Sequence, residues 1–212
     1  MKVSTVICTM EEQQHLWLER IKNLFMRYGV RNVTMDDVAR ELGISKKTLY
    51  QFVSSKDELV EQVVLNHIIE EKKQDMCVIA ESQNAVDEIL KLIDLGMNDI
   101  QQMKTNIVFE LQRYFHAAWR HIEAYRQEHM SEYVRRNLER GMAEGLYRDD
   151  LDVDMVARLH VASTFNVFDE HWFPRADYPP EKVIRACYLL YLNGILSDQG
   201  RQFLKEKLSD QL

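Results

Sequence analysis

Proline and glycine are scarce in this chain, with 3 and 7 among 212 residues. Long helix-period runs separate these few turn formers, so the fold class reads as all-α. Cysteine is scarce too. Cys8, Cys77 and Cys187 are an odd number with no paired spacing, which excludes a disulfide frame and reads as reduced thiols. No CxxC or HExxH occurs among the residues, so no metal and no cofactor is expected. No apolar run approaches the roughly 20 residues of a membrane span. The opening MKVSTVICTM has too short an apolar stretch for a secretory signal, so a cytoplasmic location is expected. Catalytic signatures are missing as well: there is no GxSxG, no Walker-type GxxxxGK and no paired glycine-rich turn. Glu170 and His171 are adjacent, but neighbouring helical residues point apart. No catalytic residue is assigned, and the chain does not read as an enzyme.

What is present is concentrated between Thr34 and Leu59 (TMDDVARELGISKKTLYQFVSSKDEL). Thr34 can cap a helix start, with Asp37 three residues on as its capping-box partner, and Val33 and Val38 flank the cap at staple spacing. The device repeats at Ser45, between Ile44 and Leu49. Between the two helices, Leu42-Gly43-Ile44 supplies a stop in which glycine takes the left-handed conformation. The small Ala39 lets the second helix cross close over the first. This is the pattern of a helix-turn-helix, whose second helix enters the DNA major groove.

Lys46 and Lys47 follow the Ser45 cap, and Lys56 follows Ser55. Positive side chains at helix N-termini oppose the macrodipole by about 0.3–1 kcal/mol each, so local helix stability does not ask for them. An incoming phosphate does, because amides and lysines then converge on one anion. A lone lysine here would usually be a solvated surface charge; the framework around these three favours DNA. The net charge of −7 divides unevenly. Residues 1–60 carry nine Lys/Arg against eight Asp/Glu, and residues 61–212 carry eighteen against twenty-six, so the acidic bulk should face away from DNA.

These residues resemble the TetR-type (tetracycline-repressor-like) bacterial transcriptional regulators. The family's motif is matched by Thr34, Val38-Ala39, Gly43-Ile44-Ser45, Leu49-Tyr50 and Lys56-Asp57-Glu58-Leu59. The chain departs from it at Val53, where the family usually has phenylalanine; Phe52 stands one position earlier. The resemblance is specific over about residues 12 to 62. Gly145 to Leu151 and the all-helical remainder are similar but less diagnostic.

Together these readings predict a mobile arm over 1–10, an N-terminal three-helix helix-turn-helix DNA-binding domain over 11–60, and a C-terminal helical ligand-binding and dimerisation domain over 61–212. Helix one is expected from about Glu11 to Tyr28, with Trp17, Ile21, Leu24 and Phe25 on its apolar stripe. Ser55-x-x-Glu58 reads as a further capping box, opening a helix that runs to about Met76. Five more helices are expected at about 84–101, 104–117, 119–143, 153–172 and 180–207. Thr34, Ser45, Lys46, Lys47, Thr48, Tyr50 and Lys56 are the expected DNA-binding residues.

The last two expected helices have no clean polar face. Such helices must be buried on more than one side, so they predict a homodimer interface with Phe168, Tyr188, Tyr191, Leu192 and Ile195 as candidates. Their burial inside the body is the competing reading. In the family this chain resembles, two such helices per subunit form a four-helix bundle. Aromatic and polar residues also mingle in the body, each by itself reading more readily as core than as a ligand contact. The resemblance implies a pocket for a small apolar or amphipathic effector, with Met97, Phe109, Phe115, His116, Trp119 and Phe165 as candidates. The expected function is a regulator, a repressor by default, that binds a palindromic operator and is released by its effector. A DNA-binding regulator without small-molecule input, responding to a protein partner or constitutive, is the alternative. An all-α enzyme is a remote one.

Overall fold

The computed structural model describes residues 2–102 and 106–209, and these are mainly helical, with no strand. The helices are α1 (Lys2–Tyr28), α2 (Met35–Leu42), α3 (Lys46–Phe52), α4 (Lys56–Glu81), α5 (Ala85–Gln102), α6 (Ile107–Tyr114) and α7 (His116–Tyr125). A π-helical turn at Arg126–Met130 leads into α8 (Ser131–Ala143), followed by α9 (Val153–Asn166), α10 (Pro180–Ile195) and α11 (Asp198–Ser209). Helix α1 starts at Lys2 rather than near Glu11, so the backbone over 2–10 is helical where an arm is expected. No glycine or proline interrupts the chain before Gly29. The chain divides into two compact units. One comprises Met1–Lys73 and Gln102–Glu123, the other Gln74–Gln101 and Ala124–Leu212. The first therefore takes in α6 and most of α7 beyond the boundary expected at residue 60.

In the first unit, α1 packs on α2 and α2 on α3. Ile21 and Phe25 of α1, Val38 and Leu42 of α2, Leu49 of α3 and Leu59 of α4 are all buried. Trp17 meets Phe52 edge to face, with ring centroids 5.9 Å apart. Val53, where the family favours phenylalanine, is buried, so a smaller side chain fills that slot while Phe52 serves α1.

The second unit is built around Val86, Ile89, Leu138, Tyr147, Ala157, Leu192, Ile195 and Leu196. Several buried polar groups inside it pair with one another, while the buried Tyr191 hydroxyl makes no hydrogen bond. Asn137 donates to the Ala85 carbonyl (3.0 Å) and to Glu88 (3.0 Å), and accepts from the Tyr147 hydroxyl (2.8 Å). Arg140 bridges Glu88 and Glu144, each at 2.7 Å. Burial pushes the Tyr147 phenol up. Gly141 makes the Tyr147 position possible, since a Cβ there would lie 2.1 Å from the ring.

Several helix boundaries differ from expectation for identifiable reasons. The predicted 104–117 helix ends at Tyr114, because the buried Phe115 leaves helical geometry (φ −123°, ψ 65°). The predicted 119–143 helix contains the π turn, where Ser131 donates to the Arg126 carbonyl (3.2 Å). Helix α9 stops at Asn166, and Asp169 closes the following turn by accepting from the His171 amide (2.8 Å). The last predicted helix breaks at Leu196–Ser197. There the backbone turns to pair with the 145–148 turn, Ser197 N–H donating to Leu146 (3.0 Å) and Arg148 N–H to Ile195 (2.9 Å). Pro180 opens α10 at its first turn, as its fixed φ favours.

Candidate nucleic-acid interface

The reading helix is positioned by a series of local devices. Thr34 Oγ1 accepts the Asp37 N–H (3.2 Å), while Asp37 accepts the Thr34 N–H (3.0 Å), closing the capping box at α2. These Thr34 hydrogen bonds hold the Asp37 carboxyl below the usual carboxylate range. Gly43 ends α2 in the left-handed region (φ 69°), its N–H donating to Arg40 (3.2 Å) and that of Ile44 to Ala39 (3.0 Å). Ser45 then caps α3 by accepting the Thr48 N–H (3.0 Å), and its hydroxyl also meets that of Thr48 at 2.8 Å. At α4, Ser55 accepts the Glu58 N–H (3.1 Å), but Glu58 reaches back to Ser54 N–H (2.7 Å), one residue earlier than a simple Ser55 box.

Helix α3 buries Leu49 and exposes Lys46, Lys47 and Tyr50, with Thr48 half-buried beside the cap. Lys46 pairs with Asp36 at 2.9 Å, and this hydrogen bond raises the ammonium's pKa. The pair is exposed, so a phosphate can compete for the lysine at small cost. Lys56 differs from the other two lysines. Its Nζ donates to the Arg31 carbonyl (3.0 Å) and lies 5.9 Å from the Phe115 ring centroid. Burial is the largest influence on its pKa and lowers it, against the opposing pull of Glu110 and Asp57. Lys56, half-buried, thus also holds the Arg31 turn within the head.

The candidate effector residues are spread over both units. Phe109 and His116 are exposed, whereas Phe115 and Trp119 are buried in the first unit. Met97 belongs to the second unit, where it packs against the Val167, Val183 and Ile184 cluster. The Phe165 side chain lies outside the described residues. A cleft of about 370 Å³ in the second unit is lined by Ile79, Glu88, Tyr133, Arg136, Glu139 and Arg140.

The candidate dimer residues are also divided. Leu192 and Ile195 are buried in their own chain's core, so neither is available to a partner. Phe168 and Tyr188 pack on the Val167 cluster, and Tyr191 stacks on His160 with centroids 3.8 Å apart. Among the described residues of α9 and α10, the large apolar side chains left exposed are Met155, Leu159, Leu189 and Leu190. Their sequence signal was only that both helices are apolar all round.

Comparison with known proteins agrees with this geometry. Residues 18–63 match the family model described as bacterial regulatory proteins, tetR family. An uncharacterized HTH-type transcriptional regulator of Bacillus subtilis, YvaF, is 27% identical over 167 residues, covering 78% of this chain and 87% of that protein. The HTH-type transcriptional repressor KstR2 of Mycolicibacterium smegmatis is 24% identical over 188 residues, covering 86% and 90%. The crystal structure of a TetR family transcriptional regulator from Agrobacterium tumefaciens superposes with a TM-score of 0.71 at 16% identity, covering 89% of this chain and 99% of that one. The capped pair of helices and its relatives define a helix-turn-helix, DNA-binding transcriptional regulator, not an enzyme. More particularly, the chain is similar to TetR-type regulators, with the tetR-family match lying on residues 18–63. Among the described residues no helix is long and apolar enough to cross a membrane.

Proposed function

We propose that this chain acts as a homodimeric repressor that reads a palindromic operator and leaves it when a small apolar or amphipathic effector binds. The observation that carries the reading is the outward face of α3. Lys46, Lys47 and Tyr50 are exposed on a helix whose position is held by the buried Leu49 and by two side-chain caps. Lys47 and Tyr50 are the side chains assigned to base edges. Lys46 and Thr48 lie at the helix start, where phosphates and bases are both within reach. Thr34 and Ser45 act by orienting the backbone amides. A two-fold dimer places the two heads on half-sites whose centres are one helical turn or a multiple apart.

The release step follows from linkage: an effector that fits one arrangement of the body lowers DNA affinity by the factor by which DNA lowers effector affinity, typically about 1–3 kcal/mol. Helix α4, which runs through both units, is the element assigned to carry the change. Selection of bound fragments from genomic DNA should return a palindrome. Equal affinity for selected and random DNA would refute the operator reading. Compounds that shift the thermal midpoint should also release the operator; a screen that yields neither shift nor release favours a regulator without small-molecule input.

A further inference from the structure

We infer that Glu110 is a positioning residue for DNA recognition, clamping from α6 the turn that leads into the helix-turn-helix; the inference rests on the DNA-reading function proposed above. Three groups hold the turn between α1 and α2. Glu110 Oε2 accepts the Arg31 N–H (3.0 Å). The Lys56 ammonium binds the Arg31 carbonyl from the other side of the same residue (3.0 Å). The Arg31 guanidinium lies 4.3 Å from the Tyr114 ring centroid, and its Nη1 donates to the Tyr114 hydroxyl (3.2 Å). Glu110 and Tyr114 are four residues apart, hence on one side of α6.

The turn is shaped to receive the carboxylate. Residue 29 is a glycine with φ 83°, and a Cβ there would lie 2.9 Å from Glu110 Oε1 and 3.2 Å from Oε2. One residue beyond the clamped Arg31 come Val33, buried, and Thr34, the α2 cap. A shift of Arg31 therefore carries into the start of α2, against which α3 packs. Residues 102–123 belong to the same compact unit as the helix-turn-helix, and this clamp gives that grouping a chemical basis.

The sign of one substitution separates this role from a bland surface charge. Removing a carboxylate from a DNA-binding protein weakens its repulsion of phosphate, so electrostatics alone predicts equal or higher affinity for E110A. Loss of the clamp predicts the opposite. In the full-length dimer, E110A should bind the operator fragment selected by the wild-type protein about tenfold more weakly, with affinity for random DNA unchanged or raised. E110Q keeps an acceptor for Arg31 N–H and should restore most of the operator affinity. Amide hydrogen exchange over residues 29–34 should accelerate in E110A and not in E110Q. Operator affinity at or above wild type in folded E110A, or unaltered exchange at 29–34, would overturn the clamp. If E110A fails to fold, Tyr114→Leu decides the matter: it should lower operator affinity, and wild-type binding by this variant counts against the proposal. Should the wild-type protein select no operator, the DNA-reading function fails, while the exchange measurement still decides whether the clamp exists.

Discussion

Single residues set how this protein answers to acid. His160 is buried against Tyr191, and burial lowers its pKa to about 4. The unfolded chain takes up this proton near pH 6.5 and the folded one does not, so stability falls as pH drops from 6.5 towards 4, by on the order of 3 kcal/mol. Asp87 has the opposite origin. Burial raises its pKa, but hydrogen bonds from the Gln83 amide, Lys91 and Lys207 outweigh burial and hold it at about 2. Its contribution, roughly 2 kcal/mol, is complete above pH 4 and is lost as pH falls through 2. Urea unfolding should therefore show two acid-sensitive windows. His160→Phe should flatten the upper one and Asp87→Asn the lower; a substitution that leaves its window intact removes that group from the account.

At the scale of elements, helix caps and reading side chains are separable by measurement. Ser45 holds α3 through the Thr48 amide, so Ser45→Ala should lower stability by about 1 kcal/mol and weaken DNA binding with it. Lys47 is exposed on that helix. Lys47→Ala should leave the thermal midpoint within a degree or two while weakening operator binding, and a lost phosphate contact would reduce the salt slope by about one ion. A change in site preference with an unchanged slope assigns Lys47 to a base edge instead. Equal binding by Lys47→Ala and wild type would remove it from the interface. Lys56→Ala belongs with the caps: because Lys56 supports the Arg31 carbonyl, its loss should destabilise the head in addition to any effect on salt dependence.

At the scale of the molecule, the proposed dimer calls for an exposed apolar face. Leu159 and Leu190 are among the most exposed apolar side chains, at 63% and 76%. Burying a leucine contributes about 1.5–3 kcal/mol. If α9 and α10 form the interface, the double substitution Leu159→Glu and Leu190→Glu should give a folded monomer by sedimentation, with operator affinity reduced at least tenfold. A dimer that survives both changes would move the interface off these helices. Neither side chain supports the core of its own chain, so loss of fold is not the expected outcome.

The sequence by itself determined the helix-turn-helix, because the information for it is local. A cap and its acceptor lie three residues apart, a glycine ends a helix where it stands, and Leu49 and Tyr50 point to opposite sides whatever surrounds them. The same locality made the all-helical class and the Pro180 helix start legible. Only the tertiary structure decided which side of an all-round apolar helix is core. It placed Leu192 and Ile195 within their own chain and left Leu159 and Leu190 in solvent, since that choice depends on which neighbours close over each face. Glu110 and Arg31 lie 79 residues apart, and no spacing rule links them. Lys56 read as a phosphate ligand because its sequence neighbours form a helix start. The folded chain also brings it a backbone carbonyl, that of Arg31, 25 residues earlier.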